Sequence, residues 1–196
     1  MTKPRPFLNP AGQTLIEFVM VLPFVLLIIL GVVEVGYLLL DQHVVTKLSR
    51  EGSNLISRNT SLQDAAAAMT NMSSRPVDFT GSSKLIFSVI RNVGTTGSSN
   101  YNAAVLYERL EIGNLPMSSA LTTRGPASFG SAPDYQAANS DNNTNLQLTN
   151  LPPNLITTGG MLYVTEIYSS HTRITPLDRL GLGLPVPQTL YSIAYF

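Results

Sequence analysis

The sequence predicts an α+β protein: a long N-terminal transmembrane α-helix continues into an amphipathic half and packs against a small, mainly antiparallel β-sheet with a long polar loop. Three observations carry this prediction. An apolar run covers residues 15–40, helix-like spacing of apolar residues continues beyond it, and β-rich runs separated by turn residues follow in the C-terminal half. A chain of 196 residues has room for one domain and an appendage.

The first element is a membrane-spanning segment. From Phe18 to Leu40 the only charged residue is Glu34, and at 1.5 Å per residue the stretch is about 35 Å long, enough to cross a hydrocarbon core of about 30 Å. It is too long for the apolar core of a secretory signal, and no Ala-x-Ala cleavage site follows it. Lys3 and Arg5 precede it without an acidic residue, which favours a cytoplasmic N-terminus.

The helical pattern does not stop at the end of the apolar run. Apolar residues keep recurring at helix spacing, with charged residues on the other face, so the sequence predicts one helix from about Gln13 to Arg58. Pro23 should kink this helix, because it removes a hydrogen bond inside it. A second, shorter helix is predicted over residues 62–72, with Ser61 as its N-cap.

Two carboxyl groups interrupt the apolar half. Glu17 lies near its start, where an ionised group costs roughly 2.5–3.5 kcal/mol unless it is neutralised. Cleavage after Gly12 would give Gln13 a new α-ammonium group four residues before Glu17, so the chain itself could supply the neutralising charge. Glu34 could pair within a helix bundle or be hydrated near the outer interface, and we favour hydration.

The C-terminal half predicts a sheet. Strands are expected over about residues 85–91, 104–112, 161–173 and 189–196, with a hairpin loop at 94–100. In the second strand Leu106, Leu110 and Ile112 should share one face, which suits a sheet with one face in water. Residues 113–160 form a polar insertion that we expect to be either functional or poorly ordered. Deletion of residues 120–150 should then spare the folding of the sheet.

The composition argues against an enzyme. The chain has no cysteine, which excludes disulfides, thiol nucleophiles and thiolate metal sites, and its only histidines are His43 and His171. No nucleotide-binding, hydrolase or zinc-protease motif is present, so we expect neither catalytic residues nor a cofactor. A net charge of zero with 12% charged residues gives no reason to expect a nucleic-acid partner.

One part of the sequence partly matches a calcium-binding loop. Asp141, Asn143 and Asn145 alternate like the first half of such a loop. Leu146 replaces the turn glycine, however, and Pro152 replaces the bidentate glutamate. We therefore expect no metal site.

The residues Gly12 to Phe18, a glycine followed after four residues by Glu-Phe at the head of an apolar helix, resemble the class III leader of type IV pilins and pseudopilins. The chain is most similar to the TadE-like minor pilins of Tad (tight adherence, Flp-type) systems. Leu48 to Gly52 resembles the Arg-Glu-Gly/Ala stretch of their helices, and Leu190 to Phe196 resembles their terminal strand. Residues 73–160 carry no diagnostic likeness.

The resemblance implies how the N-terminus is used. A prepilin peptidase of the bacterial inner membrane would cut after Gly12, making Gln13 the first residue of the mature chain. Glu17 and Phe18 would then serve assembly, with Glu17 pairing with the N-terminal amine of its own or a neighbouring subunit. The chain is longer than a major Flp pilin, which favours a minor, low-copy subunit. Its expected partners are other pilin subunits, the peptidase, the inner-membrane assembly platform and membrane lipid.

This interpretation divides the chain into four regions. They are a leader (1–12), a transmembrane and assembly half of the first helix (13–40), an amphipathic helical region (41–72) and an outer β-rich domain (73–196) with the polar loop 113–160. The protein would be a single-pass inner-membrane protein with the option of export in the pilus.

Two alternatives remain open. The chain could be a type II secretion pseudopilin, or a signal-anchored periplasmic binding module with the 113–160 loop as its contact surface.

Overall fold

The computed structural model describes residues 10–152, 155–175 and 187–196. Within these residues the chain forms two α-helices, four strands and a short 3₁₀ turn. They are, in chain order, α1 (Pro10–Ser57), α2 (Leu62–Met72), β1 (Ser83–Asn92), β2 (Ala104–Gly113), the 3₁₀ turn (Thr144–Leu146), β3 (Met161–Ser170) and β4 (Thr189–Tyr195). The predicted α+β class, with its long first helix and its antiparallel sheet, is confirmed.

The described residues divide into two compact units. One contains α1 up to Leu39 together with residues 173–175, and the other contains residues from Leu40 to Thr172 together with Pro187 to Phe196. The first unit is an apolar helix with a short irregular segment on it. The second unit contains the sheet, α2 and the rest of α1.

The helices form where the sequence supplies helical periodicity and caps. In the second unit α1 buries Val45, Leu48 and Ile56, which lie at helix spacing on one face. At the start of α2, the Ser61 hydroxyl accepts a hydrogen bond from the Asp64 backbone N–H at 3.1 Å, as an N-cap does. The predicted bounds of α2 and its cap are therefore confirmed, while a bend of α1 at Pro23 stays a prediction.

The sheet has the strand order β2-β1-β3-β4, and every neighbouring pair is antiparallel. Directly opposed residues in such pairs share a face. Leu85, Phe87 and Ile167 thus point to one face, where α1 packs closely: a Cβ on Gly52 would lie 3.1 Å from Cε1 of Phe87. We call this the helix face of the sheet.

The pairing of β1 with β2 corrects one prediction. The register shifts between Val89 and Ile90, so that Ile90 lies opposite Leu106 whereas Phe87 lies opposite Leu110. A β-bulge of this kind places one extra residue in one strand and reverses the alternation beyond it. Leu106 and Leu110 therefore lie on opposite faces of the sheet, and the prediction that they share one is wrong.

The polar insertion is part of the folded core, which corrects two more predictions. On the face opposite the helix face, Leu121 of the insertion packs with Ile90 and Val164 in one buried cluster. Leu146 of the insertion is completely buried in a second, separate cluster with Val105. The sequence predicts that this face of the sheet is in water, but here the insertion covers it. The expectation that residues 120–150 can be deleted without harm to the sheet is contradicted, because the deletion would remove both leucines.

The insertion also covers one edge of the sheet. The Ala137 N–H donates to the Tyr107 carbonyl at 2.8 Å, and the Arg109 N–H donates to the Tyr135 carbonyl at 3.1 Å. These bonds satisfy backbone groups of β2 that an exposed edge strand would leave unpaired.

Candidate functional site

The predicted processing and assembly residues lie on the first turns of α1. The helix already includes Gly12 and Gln13, so the bond between them lies in a helical turn, and a Cβ on Gly12 would meet no atom within 4 Å. Residues 1–9 of the predicted leader lie outside the described residues.

Glu17 and Gln13 lie on the same side of the helix. The Gln13 side-chain amide donates a hydrogen bond to Glu17 Oε1 at 3.1 Å, across the spacing of four residues that brings side chains together on a helix. Both side chains are exposed, and the Phe18 side chain is 63% exposed. The geometry therefore brings Gln13 and Glu17 together and leaves Phe18 facing outwards.

The apolar half of α1 presents its side chains outwards. The helix is long and apolar enough to cross a membrane, and none of its most apolar stretch is buried by the rest of the chain. Phe24, Ile28 and Val32, for example, are each about two-thirds exposed. Apolar surface of this extent on a single helix fits a single-pass membrane anchor.

Glu34 departs from this pattern and corrects the expectation that it is hydrated. It is only 1% exposed, and its Oε2 accepts hydrogen bonds from the backbone N–H groups of Ile174, at 3.2 Å, and Thr175, at 2.9 Å. Backbone N–H groups from a distant part of the chain thus solvate this carboxyl group. The sequence signal was an acidic residue inside an apolar run, but nothing local identifies residues 174 and 175 as its partners.

The other two stretches that carry the resemblance contact each other. The hydroxyl groups of Ser49 on α1 and Ser192 on β4 are 2.8 Å apart, and the Ser53 hydroxyl donates to the Ala194 carbonyl at 2.9 Å. Gly52 lies beside them and allows the close approach of α1 to the sheet. Ser49 of the first stretch therefore packs against the terminal strand, whereas Arg50 and Glu51 beside it are exposed.

The histidines serve no common site. His43 is exposed, whereas the His171 ring is buried, with its Nδ1 2.8 Å from the Asp41 carboxylate. Among the described residues, no group of three or more His, Asp or Glu side chains could hold a metal ion. In the tested calcium pattern, the Asp141 carboxylate pairs with Arg91 and accepts a hydrogen bond from Thr95.

Sequence reasoning missed a buried polar cluster around Glu166. This residue of β3 is completely buried, and its carboxylate accepts hydrogen bonds from the Ala120 N–H at 2.7 Å, the Tyr191 hydroxyl at 3.1 Å and the Ser119 hydroxyl. Burial and the nearby Glu166 charge raise the pKa of Tyr191. The cluster attaches the insertion to the sheet. A lone carboxylate in an apolar strand was its only sequence signal.

Comparison of the sequence with known protein families gives a match within α1. The model of the family described as TadE-like protein matches residues 12–54, which include the predicted cleavage residue, Glu17 and the Arg-Glu-Gly stretch. No curated protein and no solved structure matches the chain. Over residues 12–54 the chain is therefore similar to the TadE-like family, whose name connects it with Tad pilus systems.

Proposed function

We propose that this chain is a minor pilin or pseudopilin that a prepilin peptidase cleaves after Gly12 and that then takes part in assembling a Tad-type pilus for surface attachment. The observation that carries the proposal is the position of Glu17. It is an exposed carboxylate on an otherwise apolar, exposed helix surface, beside the residue that cleavage would turn into the N-terminus. The proposed partners are other pilin subunits, the peptidase and the inner-membrane assembly platform.

Cleavage changes the electrostatics at Glu17. In the uncut chain its hydrogen-bond donor is the uncharged amide of Gln13. After cleavage Gln13 would also carry an α-ammonium group, and its attraction to the Glu17 carboxylate grows as the effective dielectric constant falls. The attraction is stronger in a bundle of apolar helices than at a hydrated surface. Cleavage would therefore favour association of this helix with the apolar helices of other pilin subunits.

The two carboxyl groups in the apolar half of α1 differ in whether a neighbouring subunit can reach them. Glu34 is buried and accepts two backbone hydrogen bonds from its own chain. Glu17 is exposed. A neighbouring subunit can reach Glu17 without displacing any folded segment, so Glu17 is the acceptor that we assign to contacts between subunits.

The alternatives receive less support. A binding module that uses residues 113–160 as its contact surface would need that stretch to be available, whereas Leu121 and Leu146 are buried against the sheet. A type II secretion pseudopilin would share the leader, but the matching family model is that of TadE-like proteins. We also propose the topology of a pilin precursor, with the N-terminus in the cytoplasm and the C-terminus in the periplasm.

The test replaces Glu17 with leucine in the full chain, expressed in its native host in place of the normal copy. We expect Glu17→Leu to insert into the membrane and to be cleaved, but to be missing from filaments sheared off the cells. Glu51→Leu is the matched control, because Glu51 is an exposed carboxylate farther along the same helix. Equal amounts of Glu17→Leu and wild type in the sheared filaments would refute the assigned role of Glu17.

A further inference from the structure

Glu34, Ile174 and Thr175 form what we call the clasp. Two consecutive backbone N–H groups converge on one carboxylate oxygen, at 3.2 and 2.9 Å, and the glutamate side chain is 1% exposed inside the half of α1 whose other side chains are mostly exposed. The segment that supplies these donors is irregular, and the Ile174 side chain is 57% exposed. All three residues belong to one compact unit.

The clasp cannot lie within the hydrocarbon core of a membrane. A non-helical segment exposed to lipid would leave backbone polar groups without partners, at a cost of several kcal/mol each, and such segments do not occur there. If α1 spans a bilayer, the outer boundary of the hydrocarbon core must therefore lie on the N-terminal side of Glu34. The headgroup layer is the first environment that can solvate the clasp.

The length of the helix before the clasp fits this limit. From Gln13 to Val33 it measures about 32 Å at about 1.5 Å per residue, close to the hydrocarbon thickness of about 30 Å. Tyr37, 46% exposed and one turn beyond Glu34, is of the residue type enriched where membrane and water meet. Gln13, the first residue of this stretch, and the clasp would then lie at opposite faces of the bilayer.

We propose that the clasp sets the depth at which the chain sits in the membrane and that it contacts the outer lipid headgroup layer. Gln13 to Val33 then span the hydrocarbon, while Glu34 and the exposed Ile174 lie among the headgroups. Leu38 to Leu40 lie in the interface and not in the core. The inference rests on membrane insertion of α1 and is independent of cleavage after Gly12.

A different depth follows if apolar length alone positions the helix. The apolar run Phe18 to Leu40 would then be centred on the bilayer, with its deepest point at about residue 29, midway between its ends. With the clasp as the limit, the deepest point is at about residue 23, midway between Gln13 and Val33. The two positions differ by about six residues, or about 9 Å along the helix.

The experiment is a depth profile of the full chain in vesicles of phosphatidylcholine and phosphatidylglycerol. The chain has no cysteine, so single cysteines carrying a nitroxide label can be placed at the exposed positions Met20, Leu26, Ile29 and Val32, and at Ile174. Relaxation by oxygen compared with a water-soluble nickel chelate reports depth. We expect a maximum near residue 23 and a headgroup-level value at Ile174. A maximum near residue 29, or a fully aqueous Ile174, would overturn the proposal.

Glu34→Leu tests the role of the carboxylate itself. It removes the acceptor and joins the apolar residues on either side, so the maximum should move outwards by about six residues and the label at Ile174 should become aqueous. Glu51→Leu should change neither value. An unchanged profile in Glu34→Leu would contradict the proposal, and near-ultraviolet circular dichroism of the tyrosines checks that each variant is folded.

Two further measurements distinguish lipid contact from self-association and from cleavage of the leader. If the label at Ile174 is shielded only at high protein-to-lipid ratio, the occupant of this surface is a second copy and not lipid, and the lipid assignment falls. Intact mass of the chain from its native host reports cleavage separately. A chain that keeps its leader would refute the processing proposal and leave the depth result unaffected.

Discussion

Replacing Gly52 with alanine would place a methyl group where α1 and the sheet are already in contact. The added Cβ would lie 2.7 Å from Cγ2 and 3.0 Å from Oγ1 of Thr165, and 3.1 Å from Cε1 of Phe87. Thr165 and Phe87 are both completely buried, so neither can yield into solvent. Either the helix moves away from the sheet or a buried side chain leaves its preferred rotamer.

The expected size of the effect is the difference between two terms. Overpacking a well-packed core costs about 1–3 kcal/mol. Alanine is the better helix former by about 1 kcal/mol, which offsets part of this cost. We therefore expect Gly52→Ala to lower the free energy of unfolding by about 1 kcal/mol. Gly36→Ala is the control, because a Cβ there would meet no atom within 4 Å, and it should cause no loss.

The assay is urea unfolding of the full chain in mild detergent, followed by tyrosine fluorescence, which no tryptophan obscures. Thr165→Ser removes the nearest methyl group, so in that background Gly52→Ala should cost about 1 kcal/mol less than in the wild type. If Gly52→Ala is as stable as the wild type, and the serine background makes no difference, then the close approach of α1 to β3 is not as described.

Three further predictions use the same unfolding assay. Leu146→Ala should cost about 2–5 kcal/mol, because this completely buried side chain belongs to the core, and a loss below about 1 kcal/mol would show that the insertion is peripheral. Glu166→Ala should cost about 3 kcal/mol, since it leaves partly buried donors such as the Tyr191 hydroxyl without an acceptor; wild-type stability would contradict that account. Burial raises the pKa of Glu108, so the folded state loses stability as the pH rises through that pKa; Glu108→Gln should therefore be more stable than the wild type at pH 7 and equal to it at pH 3, whereas an equal change at both pH values would exclude this cause.

Much of the fold could be predicted because its signals are local. The bounds of α2 follow from a serine cap and a run of alanines, and the long α1 follows from apolar spacing that continues past the membrane segment. The strands follow from β-rich runs bounded by turn residues. Each of these signals lies within the element that it predicts, so neighbours in the sequence are enough to identify it.

The errors arose where distant residues decide the structure. The bulge opposite Val89 and Ile90 depends on how two strands pair, and it reverses the faces that alternation alone assigns to Leu106 and Leu110. The burial of Leu121 depends on a polar stretch folding back over the sheet. Composition describes such a stretch as a loop but does not reveal which surface it covers.

The candidate site shows the same division. Gln13 and Glu17 are four residues apart, so helix geometry alone predicts the contact that the structure contains. The solvation of Glu34 by the N–H groups of Ile174 and Thr175 joins residues 140 and more positions apart in the sequence. No periodicity or motif reports a contact of that kind.

The most direct test of the account is the N-terminus of the mature protein, purified from a native host with an active prepilin peptidase. Intact mass and N-terminal sequencing should give a chain that begins at Gln13, with or without methylation of its amine, so that Glu17 lies one helical turn from a free terminus. A chain that begins at Met1, with no trimmed form present, would contradict the proposed processing and the pairing built on it.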